Sequence, residues 1–165
     1  MDHTRILPEG SEAKFKITID DFNMAIEDFE VTLIYGQRQN KVFIPNREML
    51  QSKDGDWYFT FDTSGMVGRV TAECKYYIHD GDFPDRYKIM VDEQYLLFVA
   101  ATPYPKLICC PSMDEPEDRK VHYELINETD IVTEYVRLCT MSGLPIRTID
   151  GEDLMVLKDE NDDNN

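Results

Sequence analysis

The chain is short of positive charge. Lysine and arginine together number 17 against 33 aspartates and glutamates, a formal net charge of −16. A surface of that sign repels phosphate backbones and anionic membranes. The best basic clusters, Arg38/Lys41 and Lys14/Lys16, are too sparse to reverse it. Nucleic-acid and membrane partners are therefore not expected. Long hydrophobic runs are missing too. The longest, Tyr95-Leu96-Leu97-Phe98-Val99-Ala100-Ala101, is far below the roughly 20 residues a membrane helix needs and suits one central strand. No apolar stretch of signal-peptide type follows Met1–Arg5.

Cysteine and histidine are few. Cys74, Cys109, Cys110 and Cys139 form no CxxC pair and no zinc-ligand spacing, so they read as reduced thiols. His3, His79 and His122 stand apart from one another, and no G-x-S-x-G elbow occurs. No nucleophile and base are paired by motif, so no catalytic residue, cofactor or enzymatic activity is expected.

What the chain has is alternation. Phe15, Ile17 and Ile19 share one face of a period-2 segment, as do Phe29, Val31 and Leu33, then Trp57, Phe59 and Phe61, then Val70, Ala72, Cys74 and Tyr76. Alternation bounded by turn residues predicts half-buried strands in antiparallel sheets. Strands are expected at about 14–20, 29–35, 41–45, 57–62, 69–78 and 94–101. One helical turn, capped by Asn46, is expected at 46–50. The fold class is mostly β: an antiparallel β-sandwich of immunoglobulin-like, Greek-key type.

The organisation read along the chain is a flexible N-terminal arm (1–13), the sandwich (14–102), a proline-rich linker (103–119), a C-terminal β-hairpin appendage (120–158) and an acidic tail (159–165). Pro103, Pro105, Pro111 and Pro116 define the linker. Within the appendage, strands are expected at 121–126, 131–140, 144–149 and 154–157, with turns at Ser142-Gly143 and Asp150-Gly151.

Three local patterns bear on binding. Asp80-Gly81-Asp82-Phe83-Pro84-Asp85 opens like a calcium loop. An EF-hand needs Gly at its sixth position and Glu at its twelfth. Counted from Asp80 those positions hold Asp85 and Val91, so only an irregular calcium site on Asp80, Asp82 and Asp85 is left, against the plainer reading of an Asx-rich turn. Trp57, Tyr58, Tyr76, Tyr77, Tyr87 and Tyr95 offer aromatic surface for a sugar, although alternation already assigns Trp57 and Tyr76 to the core. Asn127-Glu128-Thr129 matches the glycosylation sequon, a motif common by chance.

Asp62-Thr63-Ser64-Gly65-Met66 ends one strand and turns toward the next, and it resembles the corner of immunoglobulin-like sandwiches, where an Asp-x-Gly turn precedes a strand carrying an inward cysteine. With Asp28–Leu33, Tyr58–Gly68 and the 80–85 loop running on to Val91–Leu96, it resembles small proteins encoded in phage and prophage structural modules of gut Bacteroidetes. The first two segments are also similar to the N-terminal β-sandwich domain of phage baseplate upper and fibre-anchoring proteins. The resemblance covers residues 14–100. It implies a virion component made in the bacterial cytoplasm, in the head–tail, tail/baseplate or fibre-attachment region. Such a protein contacts other virion proteins and its own copies and carries no catalytic residues. The alternative is a calcium- or carbohydrate-binding β-sandwich module.

Overall fold

The computed structural model describes residues 5–24, 27–101, 107–110, 118–126 and 135–157. His3, all four linker prolines, the sequon, residues 131–134 and the acidic tail lie outside that set. The described chain forms twelve strands: β1 (Ile6–Pro8), β2 (Glu12–Ile19), β3 (Phe29–Tyr35), β4 (Asn40–Pro45), β5 (Leu50–Gln51), β6 (Trp57–Asp62), β7 (Gly68–His79), β8 (Tyr87–Ala100), β9 (Leu107–Cys110), β10 (Val121–Leu125), β11 (Tyr135–Arg137) and β12 (Asp153–Leu157).

They make three sheets, ordered β1-β8-β7-β3-β4, β10-β2-β6-β5 and β11-β12-β9. The first two face each other as a sandwich. The row β4-β3-β7-β8 opposite β5-β6-β2 follows the C′-C-F-G and D-E-B order of immunoglobulin sandwiches. β10 stands beside β2, where the first strand of that fold lies.

The alternation explains the packing. Phe15, Val31, Leu33, Val70, Ala72 and Cys74 are fully buried, and Phe59, Ile17, Phe29 and Tyr76 nearly so. Phe15 stacks on Phe59 and Phe61 at 5.8 and 6.0 Å, and Phe29 meets Trp57 edge-on across the two sheets at 5.4 Å. The corner forms as expected. Gly65 takes φ +75°, open to glycine at no steric cost, and the Ser64 N–H donates to Asp62 at 2.7 Å. Hydrogen bonds from the Ser64 side chain and backbone hold the Asp62 carboxyl below its usual range.

Four expectations need correction. From Arg5 onward the N-terminal arm is tied down. β1 pairs in parallel with β8 through Ile6–Phe98, Leu7–Val99 and Pro8–Ala100. The buried Thr63 hydroxyl accepts from the Ser11 N–H at 2.9 Å and donates toward the Pro8 and Ser11 carbonyls. Asn46 is no cap: it lies inside a single 3-10 turn, Asn46–Glu48, that begins after Pro45, and its carbonyl accepts from Met49. Leu107–Cys110, placed in the linker, is a strand paired with β12. Finally, β10 belongs to the sandwich: Val121 and Tyr123 complete its core, and β10 pairs with β2 along its length.

The third sheet lies on the outer face of the first. Ile108 and Met155 pack against Phe98, Ile6 and Tyr135. The Asp150-Gly151 turn is present: the Thr148 N–H bonds to Glu152 and the Gly151 N–H to Thr148, with Gly151 at φ +83°. Residues 144–149, expected as a strand, form no continuous ladder but the isolated bridges Cys139–Pro145 and Arg147–Asp153, with Ile146 bonded to Leu138 and Leu154 through the backbone. Asp153 is 2 % exposed and bonds Arg147 Nε at 2.8 Å and Arg137 at 3.0 Å.

Two outcomes follow. A chain ending at Ala101 loses β10, uncovers the edge of β2 and unfolds at lower denaturant than the full chain, as fluorescence of Trp57 in urea will report. Replacing Asp153 with Ala removes the anion from two arginines and costs about 1.5–3 kcal/mol, the range for a hydrogen bond to a charged group, read as lost amide-exchange protection in β12.

Candidate functional site

Two clefts and one open surface are the candidates. The larger cleft, about 790 Å³, lies between the sandwich and the third sheet. It is lined by the β3–β4 turn (Gly36, Gln37, Arg38), the start of β7 (Gly68, Arg69), Phe98, Cys109 and Glu152. Its cations are already engaged: Arg69 pairs with Glu152 and Arg38 with Glu93. The Arg38 guanidinium, by hydrogen bond and charge, holds the Glu93 carboxyl below its usual range. Cys109 is half-buried there and, among the described residues, no histidine lines the cleft beside it.

The second cleft, about 450 Å³, is on the β7–β8 hairpin, lined by Glu27, Asp28, Tyr77, Asp85, Tyr87 and Ile89. Its origin is in the register. Cys74, Tyr76 and Ile78 point into the sandwich opposite Asp92, Met90 and Lys88. Lys75, Tyr77 and His79 therefore face outward opposite Val91, Ile89 and Tyr87. Tyr87, Ile89 and Val91 form a stripe 45, 55 and 58 % exposed. His79 packs on the Tyr87 ring, centroids 4.5 Å apart, and its Nε2 lies 3.3 Å from Glu27.

The loop that joins the two strands contains the calcium candidates. The Asp80 carboxylate accepts from the Asp82 N–H at 3.0 Å. The Asp80 N–H reaches the Arg86 carbonyl at 3.0 Å, and Arg86 closes the turn at φ +58°. This is the geometry of an Asx turn. Asp85 lines the cleft, whereas Asp80 and Asp82 do not. Among the described residues no three carboxylate, histidine or cysteine side chains are grouped so as to hold a metal ion.

The aromatic candidates divide. Tyr76 is buried, and Trp57 is half-buried against Phe29. Tyr58 sits under the Lys14 ammonium at 5.0 Å on the opposite sheet, and Tyr77 and Tyr87 line the hairpin cleft. Sequence reasoning missed Ile89 and Val91 as an outward stripe, because residues 87–93 were not read as a strand, and it missed Glu27 and Asp28 as cleft residues, because only the fold brings the chain before β3 to the hairpin. The signal was present in the alternation of Tyr87, Ile89 and Val91. Met90 between them, turned to the core, masked it.

Titratable groups inside the sandwich serve the fold. Burial pushes the Cys74 thiol up to about 12 and the Tyr123 phenol well above its ordinary value. Gln94, also buried, donates to Asp92 at 2.8 Å and to the Val121 carbonyl at 2.9 Å, bridging the two sheets. His122 holds Asp20 at 2.8 Å at a strand end.

Comparison with protein-family profiles, with curated proteins and with solved structures gives no match.

A pH dependence follows from Cys74. Its thiol ionises near 9 in the unfolded chain and near 12 in the folded one. Its contribution is complete below pH 9 and is lost as pH rises toward 12, because only the unfolded chain releases the proton in that window. Urea midpoints measured from pH 8 to 11 should fall, and fall less in Cys74→Ala. At pH 8 a thiol reagent followed by peptide mapping should modify the exposed Cys139 quickly and Cys74 only on unfolding.

Proposed function

We propose that this protein is a non-catalytic structural component of a phage virion, an interaction module that contacts other virion proteins and further copies of itself. The observation that carries the reading is the β7–β8 hairpin. It combines a strand edge open among the described residues with an outward apolar stripe, on a sandwich stiffened by a third sheet. Monomeric proteins usually shorten, cover or twist away such an edge. The resemblance of residues 14–100 to phage structural proteins supplies the kind of assembly.

A second reading, carbohydrate binding, is favoured by Tyr77 and Tyr87 beside Asp85 in the same cleft. Its calcium component predicts a rise in Tm with added calcium, abolished by Asp82→Ala. With the Asp80 carboxylate held by the Asp82 N–H in the turn and no metal-ligand group among the described residues, we expect millimolar calcium to leave Tm unchanged.

The test of the virion reading is mass spectrometry of particles purified from the host that carries the gene. The chain should be recovered at a fixed ratio to the major structural proteins. Its presence in the soluble lysate and absence from washed particles would overturn the proposal.

A further inference from the structure

We infer that the outer edge and outward face of the β7–β8 hairpin dock an extended, basic segment of a partner protein. The partner's backbone pairs with β8 from Tyr87 to Val91, short of the point where Arg119 bonds Asp92 and the Glu93 carbonyl, and one of its lysine or arginine side chains enters the cleft of Tyr77, Tyr87, Glu27, Asp28 and Asp85. This deepens the reading as an interaction module and rests on it.

The edge comes first. β8 runs fourteen residues, yet β1 pairs only with Phe98, Val99 and Ala100. Among the described residues no strand pairs with the remaining outer edge. An added strand gains backbone hydrogen bonds there and places alternate side chains on the outward face. That face offers the stripe Tyr87, Ile89 and Val91 to apolar side chains.

The cleft then selects charge. Three carboxylates and two tyrosine rings line it. The carboxylates are not grouped as a metal-ligand set, which disfavours a small hard cation. A long side chain with an apolar stem and a cationic head matches the lining: rings along the stem, carboxylates around the head. The competing occupants fit less well. A second copy brings a formal charge of −16 to an acidic surface, and nucleic acid is repelled for the same reason. A neutral sugar uses the rings but brings no counter-charge to the carboxylates, of which only Glu27 has a neighbouring basic partner, His79, among the pairs described.

The experiment is fluorescence anisotropy of a labelled peptide of roughly ten residues alternating lysine and valine, with a glutamate–valine peptide as control. The lysine peptide should bind the full chain, more weakly as salt rises from about 0.05 to 0.5 M. The glutamate peptide should not bind. Asp85→Lys and Ile89→Asp should each weaken binding about tenfold or more. Glu124→Lys makes the same charge change as Asp85→Lys on the outer face of the opposite sheet, and it should change affinity less than about twofold. All three side chains are solvent-exposed, and circular dichroism checks that each variant folds.

Equal loss in Asp85→Lys and Glu124→Lys would mean diffuse attraction to an acidic protein and would overturn the inference. So would no binding of the lysine peptide, or equal binding of both peptides. Self-association abolished by Ile89→Asp would assign the face to a second copy instead. If the peptide fails while the chain is recovered in particles, this surface is wrong and the virion reading stands. If the peptide binds and the chain is absent from particles, the virion reading alone falls.

Discussion

The structure depends on one stretch of chain that is apolar on both faces. Leu96, Leu97, Val99 and Ala100 are buried, and Phe98 between them points the other way. A register shift opposite Val70/Thr71 makes this work. Leu97 pairs with Val70 and Tyr95 with Thr71, so Leu96 is the extra residue of a β-bulge. Before the bulge the even-numbered residues Met90 and Gln94 face the sandwich core. After it the odd-numbered Leu97 and Val99 do, which turns Phe98 outward. One strand thereby supplies two hydrophobic clusters, and the third sheet has something to pack on.

Polar groups fix the pieces that hydrophobic contact alone leaves unlocated. Thr63 joins the N-terminal segment to the corner that precedes β7, and Arg5 reaches across to the carbonyls of Leu96 and Tyr123. Asp153 gathers two arginines within the third sheet. Gln94 spans from β8 to β10. Thr63, Gln94 and Asp153 are buried groups whose partners are named, as burial requires of polar atoms. The surplus of carboxylates gives the chain a formal net charge of −16 and a field of one sign.

How far this was legible in the sequence depends on the periodicity. Where one face is buried and the other wet, as in β2, β3, β6 and most of β7, alternation gave the strands and their inward residues correctly. Where both faces are apolar, the 95–101 run announced a strand buried on two sides but not what would cover the second. Short edge strands carried too little pattern to see: β1 and β5 hold three and two residues, and their existence rests on partners distant in sequence. Val121–Leu125 was legible as a strand but not as part of the sandwich, because sheet membership is a long-range pairing. The acidic loop and the tyrosines of the hairpin were seen one by one. Their meeting in one cleft with Glu27 and Asp28 is a product of the fold.

The two packed sheets and the third sheet docked on the first make up the described body, with the β7–β8 hairpin at one end of it. The third sheet is held to the sandwich by the packing of Ile108 and Met155 against Phe98. Hydrogen exchange of the native chain and of Phe98→Ala, followed strand by strand, tests that most directly. The account predicts that β9 and β12 lose protection in the variant while β2 and β6 keep most of theirs. Equal loss across all strands, or no loss in β9 and β12, would contradict it.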